Sequence, residues 1–479
     1  MYIGLDLGTS GLKALLIDER QQMLAEATAP LTVQRPAEGW SEQRPEDWVA
    51  AAEAVLGALA GKADLSGVQA IGLSGHMHGA VLLGADDAVL RPCILWNDTR
   101  SHAEAAALDG DPRFRDVSGN IVFAGFTAPK LAWVAKHEPQ IFAKVAKVLL
   151  PKDYLRLWLT GEHVAEMSDA AGTSWLDVGA RDWSDDLLAA TGLSREQMPR
   201  LVEGSQVSGQ LRGTLAHRFG MSDAVQIAGG AGDNAAAAIG VGVVQAGQGF
   251  VSLGTSGVLF AANEGYRPDA ATAVHTFCHA LPDTWHQMGV ILAATDALNW
   301  FAKIAGKEAG ALTQGLGDLQ APSKTCFMPY LGGERTPLND ASVRGAFIGL
   351  EHATDLQAAT RAVLEGVAFA VRDCRDALRA TGTEIGSLLA VGGGARSDYW
   401  LALMASVLDT EITRPVAGDY GGAFGAARLA MMAHSGGGAE LAPAPKAERG
   451  FAPDPALVGA FDAGHARYAA SRMAIKGLT

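Results

Sequence analysis

Two carboxylates and two copies of one pentapeptide carry the chemistry this sequence can do. Asp6 ends a short apolar run, Met1-Tyr2-Ile3-Gly4-Leu5, and is followed by Leu7-Gly8-Thr9-Ser10-Gly11. Lys13-Ala14-Leu15-Leu16-Ile17 then returns as a second strand. A turn built this way points backbone N–H groups, two hydroxyls and the Lys13 ammonium at a phosphate. A carboxylate facing phosphates needs a cation between them, so Asp6 implies a divalent metal. Taken alone, the stretch fits a plain β-hairpin with glycine at positive φ equally well.

The pentapeptide returns as Leu253-Gly254-Thr255-Ser256-Gly257, between the apolar runs Gly249–Ser252 and Val258–Phe260. Repetition of the flanking strands along with the turn predicts two related domains, each offering a phosphate hairpin to a nucleotide between them. The second carboxylate is Asp233, in Gly229-Gly230-Ala231-Gly232-Asp233-Asn234-Ala235. Glycines there let a substrate approach the backbone closely, which suits a base. By residue type alone, Asp233 equally fits an Asx-turn or the N-cap of the alanine run that follows. His275, His279 and His286 read as structural rather than as a metal site, like Trp40, Trp133, Trp175 and Trp183.

At 479 residues the chain exceeds what one core supports, and the boundary is expected near Ala246, giving domains 1–245 and 246–479. Apolar residues at 48% and charged residues at 19% are those of a globular protein. A net charge of −14 and a pI near 5.3 exclude a nucleic-acid or anionic-membrane surface. Four scattered cysteines without a C-x-x-C point to buried thiols in a reducing, cytoplasmic compartment. The opening strand has no leader pattern before it, and no segment reads as a membrane span.

The elements that must position these residues follow a β-β-β-α-β order. Strands at 1–5, 13–17 and 22–27 precede a helix from Pro45 to about Ala60, with Glu46 and Asp47 at its positive end and Gly61 as its stop. Val68–Ser74 is a buried strand leading into Gly75-His76-Met77-His78-Gly79, and Ile94–Arg100 reads as another strand. No G-x-G-x-x-G follows a strand and no P-loop exists, so dinucleotide and P-loop readings fall away. In the second half a helix is expected over 354–380, its stripe made of Leu356, Ala359, Val363, Val367, Val371, Cys374 and Leu378. Ala390–Ser397 is a strand running into a glycine turn with Ser397 as N-cap. Asp419-Tyr420-Gly421-Gly422 opens a further helix, and a last one covers about 455–470.

With these pieces assembled, the chain resembles the FGGY family of carbohydrate kinases. The likeness rests on Phe126-Thr127-Ala128-Pro129-Lys130-Leu131-Ala132-Trp133 and on Gly345–Leu350 through Glu365-Gly366. It is strengthened by Gly75–Gly79, Leu95-Trp96-Asn97-Asp98, Leu149–Arg156 and Gly230–Ala235, and covers nearly the whole length. Two positions depart from it: Ala231 stands where glycine is expected, and the 419–422 stretch varies among members.

The resemblance implies an α/β fold of two actin-like, ribonuclease-H-like domains with βββαβαβα cores around a central nucleotide cleft. It implies ATP and Mg²⁺ as cofactors, with transfer of the γ-phosphoryl to a sugar hydroxyl. D-xylulose is favoured over ribulose, a deoxy sugar or gluconate. Asp233 becomes the proton acceptor and Asp6 the metal carboxylate, with Asp233 beside the ion. Gly8, Thr9, Ser10, Gly11, Lys13, Gly254 and Thr255 surround the phosphates, while Gly393, Gly394 and Ala395 receive the adenosine. Met77 and His78 contact the sugar, with Asn234, Trp96 and Asp98 as neighbours, and His76 is structural. A homodimer is what the family suggests. The rival from another class is an actin-like or chaperone-type ATPase, which needs neither Asp233-Asn234 nor a polar sugar wall.

Overall fold

The structure is a computed structural model of the chain and describes residues 1–416 and 421–475. Asp419 and Tyr420 of the expected helix opening lie outside the described residues. The chain forms two compact units. Unit 1 comprises Met1–Val244, Phe277–Trp285 and Asp419–Ala444; unit 2 comprises Gln245–Thr276, His286–Gly418 and Pro445–Thr479.

Unit 1 opens with three antiparallel strands, β1 (Tyr2–Leu7), β2 (Gly11–Ile17) and β3 (Met23–Pro30). Helix α1 (Pro45–Ala60) starts and stops where the sequence demands. Pro45 occupies a first-turn position that has no N–H bond to lose, and Gly61 follows the last residue. Its buried positions, Trp48, Ala51, Ala52, Val55, Leu56 and Leu59, form one face, and this packs on β2 and β3. Strand β4 (Ala70–Gly75) runs parallel to β1, followed by β5 (Val207–Gln210) and β6 (Gln226–Ala228). The sheet order is β5-β6-β4-β1-β2-β3.

The register of this sheet does the positioning. Asp6 lies opposite Ser74 on β4, and Ala231 pairs with Ser74 from the other side. Asp6 and the turn leading into Asp233 therefore reach the same carboxyl edge of neighbouring parallel strands, the edge at which open α/β sheets bind ligands.

The helix Gly422–Ser435 returns to unit 1 from late in the sequence. A Cβ on Gly4 would stand 1.8 Å from Ala423 O, and one on Gly72 would stand 1.9 Å from Ala426 O. On the helix itself, a Cβ at Gly425 would stand 1.8 Å from Ala236 O. Bare backbone on both sides lets the helix lie directly on β1 and β4, which a single boundary near 246 does not anticipate.

Unit 2 repeats the plan. β7 (Gly247–Leu253) and β8 (Gly257–Asn263) form a hairpin, β9 (His275–Cys278) and β10 (Trp285–Ile291) extend its sheet, and β11 (Ile385–Val391) runs parallel to β7. Between them lie α5 (Thr295–Ala305) and α6 (Leu356–Ala380), the latter with Val363, Val367, Val371, Cys374 and Leu378 buried. Leu356, expected on that stripe, is 42% exposed, because the first turn precedes the buried stretch that begins at Thr360. The strand expected over Ile94–Arg100 shrinks to Cys93–Ile94, since Asp98 and Arg100 turn the chain by bonding to each other. The final helix is Val458–Ile475. No described helix is long and apolar enough to cross a membrane.

The glycine contacts generate a stability prediction. Gly72→Ala drives a methyl into the backbone of the Gly422–Ser435 helix and should cost at least about 2 kcal/mol, read as a lower midpoint in urea unfolding. A wild-type midpoint would show that the helix does not pack there.

Candidate active site

Around Asp6 the first hairpin turn is closed by Gly8 N–H donating to Gly11 O at 2.9 Å. Ser74 Oγ donates to Asp6 Oδ1 at 2.8 Å. A Cβ on Gly422 would come within 2.7 Å of that same oxygen, so the first turn of the Gly422–Ser435 helix brings its positive end to the carboxylate. Burial nonetheless pushes Asp6 above the usual carboxylate range, with Ser74 and Lys13 pulling it back. Thr9 is held from two sides: its hydroxyl accepts from Trp96 Nε1 at 3.0 Å and its carbonyl from Gln43 Nε2 at 2.8 Å. Ser10 is exposed at the tip of the turn. Lys13 pairs with Glu26 on β3 at 3.3 Å.

Asp233 begins helix α4 (Asp233–Val241). Its Oδ1 accepts from the Asn234 backbone N–H at 2.7 Å and from Asn234 Nδ2 at 2.9 Å. Burial first, then the charge of Asp6, raises its carboxyl to about 6 against the pull of those two bonds. Asn234, expected at the sugar, is thus bonded to the Asp233 carboxylate through both backbone and side chain.

The turn before Asp233 is tightly constrained. Gly230 has φ +74, and a Cβ there would stand 2.1 Å from Leu73 O. Arg156 reaches in from helix α3 (Pro151–Thr160), which lies beyond α2 (Thr127–His137) in the chain. Its guanidinium donates to Ala228 O at 2.6 Å and to Gly229 O at 2.5 Å. Ser168 Oγ accepts from Gly232 N–H at 3.0 Å and donates to Glu166 at 2.8 Å.

Behind these groups Lys152 contacts Asp153 at 2.8 Å, Asp169 at 3.0 Å and Glu166 at 3.2 Å, all fully buried. Burial opposes the Lys152 charge, but the three carboxylates together hold its ammonium above its usual value. Buried ion clusters add little net stability; this one fixes the backbone that carries Asp233. Sequence reasoning quoted Lys152, Asp153 and Arg156 only as part of a resemblance and gave them no role. The available signal was Lys152, Asp153 and Arg156 within one turn of a helix whose other residues are mostly apolar.

Met77 and His78 come to the same edge. Met77 is buried, and a Cβ on Gly232 would stand 2.9 Å from its Cγ and Sδ. His78 has φ +71, its ring is stacked on Phe126 at 4.5 Å, and Nδ1 lies 2.7 Å from Gly172 O. His76 is fully enclosed, edge-on to Trp48 at 5.8 Å, and burial pulls it down to about 3, which suits a structural role. Trp96 is 47% exposed while tied to Thr9.

Asp98 departs from the sugar-wall expectation. It is buried, with Oδ1 accepting from Arg100 Nε at 2.9 Å and Oδ2 from Arg100 Nη2 at 2.7 Å and from the Ser41 backbone. Arg100 in turn lies over the Trp40 ring at 3.6 Å. Both oxygens are used in holding this loop.

In unit 2, Gly254 O accepts from Thr295 N–H at 2.9 Å and Thr255 O from Ala294 N–H at 2.8 Å, so the second hairpin turn rests on the start of α5. Beside that helix is a cavity of about 680 Å³ lined by Thr295, Asn299, Gly393, Gly394, Ser397 and Tyr399, among others. A Cβ on Gly393 would meet nothing within 4 Å, so this turn opens onto the cavity. Ala395 is buried behind the turn and does not line the cavity, because the 3₁₀ turn Gly393–Arg396 rotates it inward. Ser397 caps the following helix by accepting from Trp400 N–H at 3.3 Å. His279 is spent on backbone, with Nε2 3.0 Å from Val243 O.

Among the described residues no group of three or more metal-ligating side chains forms. A pair of carboxylates suits Mg²⁺, which keeps waters and takes further oxygens from phosphates. Asp6 and Asp233, each above the ordinary carboxylate range, fit such an ion as a pair that excess positive charge would relieve.

The two units, each opening on a hairpin with the same glycine-hydroxyl turn, have the actin-like ATPase fold. Residues 1–240 match the N-terminal domain, and 249–434 the C-terminal domain, of the FGGY family of carbohydrate kinases. The chain belongs to that family. It is 49% identical to the xylulose kinase of Escherichia coli K12 over 436 residues, 90% of each chain. Its structure superposes on the xyloylose kinase of Brucella ovis with TM-score 0.98 and 57% identity over 100% of both chains. It superposes on the gluconate kinase of Lactobacillus acidophilus with TM-score 0.93 at 25% identity, covering 99% of this chain and 98% of that one.

The raised Asp233 generates a linkage prediction. Its folded-state value near 6 exceeds that of an unfolded carboxyl, so the fold binds the extra proton and loses stability as pH rises from about 4 to 6. Asp233→Asn removes that loss and should stabilise the protein at pH 8 by on the order of 1 kcal/mol, with little gain at pH 4. Equal melting shifts at both pH values would contradict the raised carboxyl.

Proposed function

We propose that this enzyme phosphorylates the terminal hydroxyl of D-xylulose with ATP, giving D-xylulose 5-phosphate and ADP. The observation that carries the reading is Asp233, raised to about 6 and held one residue beyond the Gly232 that packs against Met77. A base near that value is ionised at neutral pH yet basic enough to take a hydroxyl proton as the phosphoryl arrives. Asn234 holds one carboxylate oxygen, leaving the other to face the sugar hydroxyl. Met77 supplies an apolar wall and His78 a polar edge, the combination a sugar site requires.

Asp6, oriented by Ser74, and Asp233 would hold Mg²⁺, which neutralises charge on the phosphates when bound. The turn from Gly8 to Gly11 offers backbone N–H groups and the hydroxyls of Thr9 and Ser10 to the phosphates, with Lys13 adding charge beside Asp6. In unit 2, Gly254 and Thr255 serve the phosphates, and the cavity at Gly393 and Gly394 takes the adenosine.

The choice of sugar draws on the relatives named for xylulose and on the His76-Met77-His78 turn. The fold alone does not decide it, since a gluconate kinase shares it closely. Four buried free thiols suit a reducing compartment, and we assign the enzyme to the cytoplasm. A homodimer belongs to this proposal and is checked by mass in solution.

Xylulose should lead a panel of ketoses, polyols and gluconate in an ADP-release assay. Another sugar in front would overturn the substrate, and turnover indifferent to every sugar would overturn the kinase reading. Asp233→Ala should lower turnover by about 10²–10⁴-fold with ATP binding retained. Because a protonated base cannot accept, kcat should fall as pH drops through about 6; a flat profile down to pH 5 would remove Asp233 from the proton transfer.

A further inference from the structure

The segment Gly125–Lys130 holds the first part of the Phe126–Trp133 family signature, yet neither the phosphate turns nor the base accounts for it. Its groups converge on one residue. Lys130 Nζ donates to His78 O at 2.7 Å and to Gly125 O at 2.7 Å. Thr127 Oγ1 donates to the same His78 carbonyl at 3.2 Å. Phe126 lies against the His78 ring at 4.5 Å with the planes 18° apart. From the opposite side, a Cβ on Gly172 would come within 2.5 Å of the ring, so only glycine leaves it room there.

Lys130 is completely buried, and among the described residues no carboxylate forms an ion pair with it. The nearby Asp98 is taken up by Arg100. Burying an ammonium is costly unless its donors are used, and here two are spent on carbonyls, one belonging to a non-glycine residue at φ +71. That backbone conformation is uncommon outside glycine, and in His78 it coincides with two side-chain donors on the residue's own carbonyl. A lysine serving only to cap its own loop would need Gly125 alone.

We propose that Lys130 is a positioning residue for sugar recognition: it clamps the His78 carbonyl, holding the left-handed turn that presents the His78 ring, while Phe126 and Gly172 fix the plane of that ring. This rests on the reading of His78 as a sugar contact. Its consequence is selective. Loss of the clamp loosens the sugar site and leaves the phosphate turn at Gly8–Gly11 and the nucleoside cavity of unit 2 as they are.

The test is a double-mutant cycle on the full-length enzyme, with KM for xylulose and for ATP measured in each variant. Lys130→Met, which keeps the length and apolar stem but donates nothing, should raise the sugar KM at least about tenfold with the ATP KM unchanged. In a His78→Ala background the same substitution should add almost nothing, since the ring it positions is gone. A normal sugar KM for Lys130→Met, or effects that simply add, would overturn the inference while leaving His78 as a contact. A normal sugar KM for His78→Ala would instead overturn the underlying reading. If Lys130→Met does not fold, Thr127→Val removes the second donor to the same carbonyl. It should raise the sugar KM about threefold, again only when His78 is present, and no rise would refute the clamp.

Discussion

The site depends on one register. β1, β4 and the short Ala231–Gly232 strand run parallel and aligned, so Asp6 and the start of α4 are delivered to one edge. Burial raises both carboxyls brought there, and the charge of Asp6 pushes Asp233 up further. A monocationic neighbour such as Lys13 moderates this without removing it. Under the proposed roles, the charge of this edge favours a divalent ion, and burial, helped by the charge of Asp6, keeps Asp233 basic enough to take a proton. A sheet slipped by one residue would turn Asp6 to the opposite face and abolish both properties.

Such repulsion must be resisted, and the resistance comes from rigid polar contacts rather than from apolar packing. Arg156 and Ser168 grip successive backbone groups of the turn ahead of Asp233, and both are anchored in a charge cluster with no solvent exposure. The Gly422–Ser435 helix adds its positive end on the Asp6 side, which its contact at Gly422 permits because no side chain intervenes. Glycines at 4, 72 and 425 make that approach possible.

These layers explain which parts of the molecule could be read from sequence. Both hairpins were legible because apolar runs, glycines and hydroxyls lie within a dozen consecutive residues, and α1 was legible to the residue because Pro45 and Gly61 mark its ends locally. Asp233 needed family likeness, since a glycine-flanked aspartate before an alanine run has an equally good reading as a cap. Asp98 was misplaced because nothing in the order Asp98-Thr99-Arg100 shows that Arg100 folds back onto it beneath Trp40. Ala395 was misplaced by a rotation within a short 3₁₀ turn, which spacing does not encode. The charge cluster stayed hidden because Lys152, Asp153, Glu166 and Asp169 look like surface residues until the fold removes their water.

The two hairpins also differ in a way that assigns their work. Aligning Asp6-Leu7-Gly8-Thr9-Ser10-Gly11 with Ser252-Leu253-Gly254-Thr255-Ser256-Gly257 sets Ser252 against Asp6, and two residues beyond the glycine Leu259 stands against Lys13. The partner strands diverge likewise: Asp6 lies opposite Ser74, whereas Ser252 lies opposite Val391. Ser252 therefore brings no charge to the position that Asp6 holds in the first turn. The glycine-hydroxyl turn survives in both copies, because cradling phosphate needs only backbone and small polar groups. Charge survives in one. Under the proposed function the second turn serves phosphate alone, while the ion, the base and the sugar belong to unit 1 and the cavity beside Gly393 to the nucleoside.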